Sequence, residues 1–179
     1  MKKSLVIALS IVSLLWVIYI IDLIIPIDFT GFGILPRSSS GIKGILFAPF
    51  LHLNLAHIMS NTMPLMILLT GLFWFYERIA WRVLALSVII GDGLVWILGR
   101  SLVHVGASGV IFSLVAFFIF SAIFKKNFKA LILGLFVFFL YGGIIWGVLP
   151  GQPGISWEGH MFGFITGGML AYFFRDVEA

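Results

Sequence analysis

Six apolar stretches follow one another along the chain, at about residues 5–25, 54–75, 83–98, 108–124, 131–148 and 158–174. Short gaps rich in charge, glycine or proline separate most of them. A bilayer core takes about 20 apolar residues to cross as a helix. The pattern therefore predicts an all-α membrane protein, with six transmembrane helices forming one bundle over residues 1–179. Met1-Lys2-Lys3 before the first run could open a signal peptide. The run is long enough to span, however, and ends in Ile24-Ile25-Pro26 rather than in small residues suited to cleavage. An uncleaved first helix is expected, with Asp22 anchoring it at the interface. Residues 26–50 break the pattern. They hold several glycines and prolines and three serines, yet Phe29, Phe32, Ile34, Leu35, Ile45, Leu46 and Phe47 are too apolar for a free linker. This segment should fold back as a partly immersed loop.

Composition agrees with a membrane protein. Hydrophobic residues make up 61% and charged residues 10% of the 179, against about 45–50% and about 25% in soluble domains. Mean hydropathy is +1.18. The net charge of +4 is not a nucleic-acid signal here, because in a membrane chain the placement of lysine and arginine matters instead. Lys2, Lys3, Arg78, Arg82, Lys125, Lys126, Lys129 and Arg175 fall on the side of the amino terminus, and only Arg37, Lys43 and Arg100 on the other, which is 8 against 3. The positive-inside rule then puts both termini in the cytoplasm. With no cysteine, disulfides and thiol chemistry are excluded.

In that topology the second, fourth and sixth spans all begin at the outer leaflet, and each opens on polar residues. His57 and Asn61 begin the second, Ser108 the fourth and His160 the sixth. Polar groups inside a membrane bundle usually face its interior or a watery cavity, and suggest function. Ser108 sits in Gly106-Ala107-Ser108-Gly109, where small neighbours permit close approach. The same four residues also read as a tight turn or a packing face. As a nucleophile Ser108 would need a base, and His160 is the candidate. No carboxylate has an obvious place as a third member: Asp92 lies on a span of opposite direction, and Glu158, two residues from His160, should point elsewhere. A Ser–His dyad is the expectation.

The fourth and sixth spans must then touch. Gly159, Gly163, Gly167 and Ala171 form a small stripe at spacing four, and Gly109, Ser113 and Ala116 offer a matching face. His160 borders the stripe. Alternatively the glycines only pack helices, and His160 bonds a carbonyl. His57 and Asn61, at i and i+4, share a helix face. With the Ser108 amide at a helix N-terminus they could hold an oxyanion, or simply cap the span. His52, His57, His104 and His160 could in principle ligate zinc, but no HExxH or carboxylate motif accompanies them. Neither a metal nor a cofactor is expected.

Three motifs together resemble the rhomboid family of intramembrane serine proteases, of the bacterial six-helix kind. His52-Leu53-Asn54-Leu55-Ala56-His57-Ile58-Met59-Ser60-Asn61 is similar to its second-helix signature, Gly106-Ala107-Ser108-Gly109 to its nucleophile motif, and His160-Met161-Phe162-Gly163 through Gly167 to its last-helix HxxGxxxG. The resemblance implies a six-helix rhomboid-like core in the plasma (inner) membrane, Ser108 as nucleophile and His160 as base. It implies oxyanion or substrate-binding contacts at His57, Asn61, Gly106 and Ser108, with His52 supporting them from behind. It implies single-span membrane proteins as substrates, cut at or near the outer end of the span, in a hydrated cavity open to the extracytoplasmic side. The first loop, the fifth span and the Pro150–Pro153 turn are candidates for a moving gate. Two positions depart from the family pattern: Lys43-Gly44 stands where many rhomboids carry Trp-Arg, and Trp81 where a glycine is usual. The alternatives are a non-catalytic rhomboid-like protein that binds membrane clients, and a small transporter, whose internal repeat is not evident.

Overall fold

The computed structural model describes residues 1–150 and 156–177. The described residues form an all-α bundle. Its helices are α1 (Lys2–Ile24), the short α2 (Gly44–Phe47), α3 (Leu55–Phe75), α4 (Ala80–Leu98), α5 (Ser108–Phe124), α6 (Phe128–Tyr141) and α7 (Trp157–Phe173). The six longer ones follow the six apolar runs in order. Among the described residues, α1, α3 and α4 are long and apolar enough to cross a membrane by themselves, and α5 and α6 are shorter apolar helices. Large apolar side chains also cover the outside: Phe139 is 80% exposed and Trp146 73%. Such a surface suits lipid and would be a liability in water.

α5 is the axle. All of its side chains from Val110 to Phe118 are buried. It packs most extensively on α7, then on α6. The small stripe explains the α5–α7 pair. A Cβ on Gly163 would collide with the carbonyl oxygen of Gly109, and one on Gly167 with that of Ser113. The two backbones touch directly, which only glycine permits.

The fifth run departs from the single helix expected over 131–148. α6 stops at Tyr141, and Gly142–Val148 continues as a 3₁₀ helix. The adjacent Gly142 and Gly143 weaken the α-helix there, while the run's hydropathy continues unbroken. The Pro150–Pro153 turn lies mostly outside the described residues.

The first loop is ordered through its own contacts. Asp22 accepts from the Phe29 amide at 3.1 Å. Residues 29–32 and 48–50 form 3₁₀ turns, and Ile34 pairs with His104 through two backbone hydrogen bonds of 2.9 Å. Arg37 donates to the Gly99 carbonyl at 2.7 Å and to Ser101 Oγ at 2.9 Å, and Trp96 Nε1 donates to the Ser38 carbonyl at 3.0 Å. Arg37 and Trp96 thus tie the loop to the carboxyl end of α4, while Lys43 lies over the Phe32 ring at 4.3 Å. Trp81 is mostly exposed, with its ring edge-on to Phe73 at 4.6 Å.

Candidate active site

α3, α5 and α7 bring their first turns to one cavity of about 820 Å³, lined by His57, Asn61, Pro64, Arg100, Ser108, Phe112 and His160 among others. Each start has a local cause. Asn54 caps α3, its Oδ1 accepting from the His57 amide at 2.9 Å, and Ser156 caps α7, its Oγ accepting from the Gly159 amide at 3.2 Å. Ahead of α5, Gly106 takes φ +116°, a backbone region that favours glycine. Pro64, inside α3, lacks the amide that would bond the Ser60 carbonyl. Ser60 and Pro64 both line the cavity.

At the centre, Ser108 Oγ lies 2.9 Å from His160 Nε2. His160 Nδ1 lies 3.0 Å from the carbonyl oxygen of Gly147. A carbonyl only accepts, so Nδ1 carries the proton and Nε2 is left to accept from the serine hydroxyl. This is the tautomer a general base for Ser108 needs. The imidazole stacks on Phe112 at 4.1 Å and 6°. Gly147 can approach because it has no side chain: a Cβ there would lie 2.9 Å from Phe112 Cζ and 3.2 Å from His160 Nδ1.

The other expected residues fall around this pair. Asn61 is buried, and its Nδ2 donates to His52 Nε2 at 3.1 Å. The amide has a second N–H beyond that bond. His52 is buried behind it, edge-on to the His57 ring at 5.0 Å. Burial, and next the neighbouring His57, push the His52 pKa down to about 4, so it is neutral and can accept from Asn61. The Ser108 amide opens α5, among the N–H groups that have no partner within a helix.

Gly106, expected as an oxyanion or substrate-binding contact, does not have its amide free for that part. Its amide donates to the Ala48 carbonyl at 2.8 Å and is spent. What it contributes is room, since a Cβ would lie 2.6 Å from the His57 ring. Glu158 points away from the dyad. It is 2% exposed and pairs with Arg100. Asp92 approaches α5 near Gly109, where a Cβ would meet its Oδ1 at 3.5 Å, but His160 Nδ1 bonds Gly147 rather than a carboxylate. No group of three or more histidine, aspartate or glutamate side chains that could hold a metal occurs among the described residues.

Three participants were missed in the sequence. Phe112 lies four residues after Ser108, hence on its helix face, and that spacing was a usable signal. The Gly147 carbonyl had none, because a backbone acceptor carries no residue identity. The Arg100–Glu158 pair spans 58 positions, and each partner reads alone as a charge at a helix end.

A family model described as the Rhomboid domain matches residues 40–177. Uncharacterised proteins of Mycobacterium bovis and Mycobacterium tuberculosis are 36% identical to this chain over 184 aligned residues, covering 95% of it and 75% of their own length. One from Mycobacterium leprae is 35% identical, over 95% of this chain and 71% of its own. No solved structure matches the chain. The matched region takes in most of the sequence and all of the site around Ser108, and on that ground the chain belongs to the rhomboid family.

Proposed function

We propose that this protein is an intramembrane serine endopeptidase that hydrolyses peptide bonds in or near the membrane spans of other membrane proteins. The observation that carries this reading is the 2.9 Å approach of Ser108 Oγ to His160 Nε2, with Nδ1 held by Gly147. A serine without a base is a weak nucleophile, and a purely structural serine needs no imidazole fixed in the accepting tautomer. Membership in a family composed mostly of serine proteases supports the reading further.

The chemistry follows from the geometry. Ser108 Oγ attacks the carbonyl carbon of the scissile bond while its proton passes to His160 Nε2. The oxyanion is held by the Ser108 amide, the second Asn61 N–H and His57, donors whose individual loss typically lowers rates about 10²–10³-fold. The intermediate collapses as His160 returns the proton to the leaving amine. A water from the cavity then attacks the acyl-enzyme, His160 taking its proton, and Ser108 is regenerated with release of the carboxylate product. Bilayer cores hold no water, so the cavity must connect to an aqueous side. The 8-to-3 bias of basic residues supports a multi-pass protein with cytoplasmic termini and an extracytoplasmic opening. The substrates are single-span membrane proteins, unwound where they are cut, so helix-breaking residues at that point favour cleavage.

The test is cleavage of a single-span substrate reconstituted in liposomes with wild type, Ser108→Ala or His160→Ala. Cleavage by the wild type alone supports the dyad. Cleavage that survives Ser108→Ala refutes it, and no cleavage by any of the three favours a client-binding member of the family.

A further inference from the structure

A polar cluster at the outer ends of α4, α5 and α7 takes no part in the steps above. Glu158, in the first turn of α7, is 2% exposed. Its Oε2 accepts from Arg100 Nη2 at 3.0 Å, its Oε1 from Arg100 Nε, and the Arg100 amide adds a bond of 3.3 Å. The guanidinium also lies over the Trp157 ring at 5.7 Å. Beside this pair, Ser156 Oγ lies 2.6 Å from His104 Nδ1, and His104 Nε2 lies 3.0 Å from the Arg100 carbonyl. That carbonyl can only accept, so Nε2 carries a proton. The His104 backbone is in turn paired with Ile34. Arg100 and His104 belong to the segment that runs directly into Ser108. Ser156 and Glu158 stand four and two residues before His160.

We propose that Arg100 and Glu158 are positioning residues for the dyad, holding the first turn of α7 against the segment that leads into α5. This rests on the reading of Ser108 and His160 as nucleophile and base. The reasoning is one of leverage. The backbone contacts of Gly163 with Gly109 and of Gly167 with Ser113 fix the two helices on the inner side of His160. Beyond His160 the two backbones are held less tightly, a Cβ on Gly109 meeting the Gly159 carbonyl oxygen at 3.3 Å where one on Gly163 would collide with that of Gly109. Helices gripped firmly on one side only can pivot. The Arg100–Glu158 fork supplies a pin on the outer side, about 3 Å along the axis from His160 at 1.5 Å per residue. A two-bond fork to a carboxylate fixes direction as well as distance. Removing one partner leaves the other charge uncompensated, and a buried carboxylate then seeks water or moves.

The experiment uses the full chain, purified, with Glu158→Gln, Arg100→Gln, the double substitution Arg100→Gln/Glu158→Gln, and Arg100→Lys. The readouts are kcat and KM on a single-span substrate, the rate at which a fluorophosphonate labels Ser108, and Tm, with kinetics run well below every Tm. Misplacement by about 1 Å typically lowers rates about 10²-fold. Glu158→Gln should therefore slow kcat and labelling together by about 10- to 100-fold, with KM little changed. The double variant should be no worse than either single one, and Arg100→Lys, which keeps the charge but loses the fork, should recover part of the rate. A Glu158→Gln protein that labels at the wild-type rate overturns the inference alone, as does a loss of rate fully accounted for by a loss of folded protein. If Glu158→Gln does not fold, Arg100→Lys carries the same comparison. A wild type that neither labels nor cleaves overturns the dyad and this inference with it.

Discussion

Gly163→Ala tests how the dyad is set by helix packing. Gly163 lies three residues, about 4.5 Å of helix, beyond His160. Its added methyl would overlap the Gly109 carbonyl oxygen, one residue past Ser108. An ordinary C···O contact is about 3.3–3.6 Å, so α5 and α7 must part by roughly 1 Å at this level. Carried to the dyad, that lengthens the 2.9 Å Ser108–His160 bond beyond hydrogen-bonding range, which ends near 3.2 Å for good geometry. The expected loss is about 10²-fold in kcat. Stability should fall by no more than about 2 kcal/mol, because overpacking costs about 1–3 kcal/mol and replacing a helical glycine by alanine returns about 1 kcal/mol. Gly91→Ala is the matched control. Its Cβ would sit 3.7 Å from Gly163 Cα and from Thr166 Oγ1, an ordinary contact, so its rate should be unchanged. The assay is single-span substrate cleavage in liposomes, with Tm measured in detergent. A folded Gly163→Ala protein that cleaves at the wild-type rate would refute the reasoning.

Three further outcomes follow from the same geometry. Gly106→Ala places a Cβ 2.6 Å from the His57 ring at a backbone φ of +116°, so it should lower both kcat and Tm, read by cleavage and thermal unfolding. His52→Gln should flatten the acid side of the stability profile. With its folded pKa near 4 and an ordinary value near 6.5, neutral His52 contributes in full above about pH 6.5. That contribution is lost as pH falls from there toward 4, where the unfolded chain binds a proton the folded one does not. The Tm of the wild type should therefore drop more between pH 7 and pH 4.5 than that of His52→Gln, and equal drops would contradict this. Asn54→Ala removes the cap of α3 and should cost about 1 kcal/mol in a thermal or chemical unfolding series.

Much of this architecture was readable before any coordinates, because hydropathy reports membrane helices directly. The glycine stripe was also legible, since spacing four on a helix puts small residues on one face. The first loop and the fifth run show where such reading stops. The first loop is anchored by Arg37 and Trp96, residues 59 positions apart, whose pairing no local pattern announces. The fifth run kept its hydropathy past Gly142, so a change from α to 3₁₀ geometry left no mark on the apolar pattern. At the site, motif order brought Ser108, His160, His57 and Asn61 to one cavity. The same motif implied an oxyanion or substrate-binding contact at Gly106, whose amide is committed to Ala48. Hydrogen-bond direction is a property of the folded backbone, and residue identity does not carry it.

The most direct test of the account is where a fluorophosphonate attaches to the purified wild-type protein. An activated serine should give a single covalent adduct on the peptide that contains Ser108, absent from Ser108→Ala and strongly slowed in His160→Ala. An adduct elsewhere, or labelling of Ser108 at the same rate without His160, would contradict it.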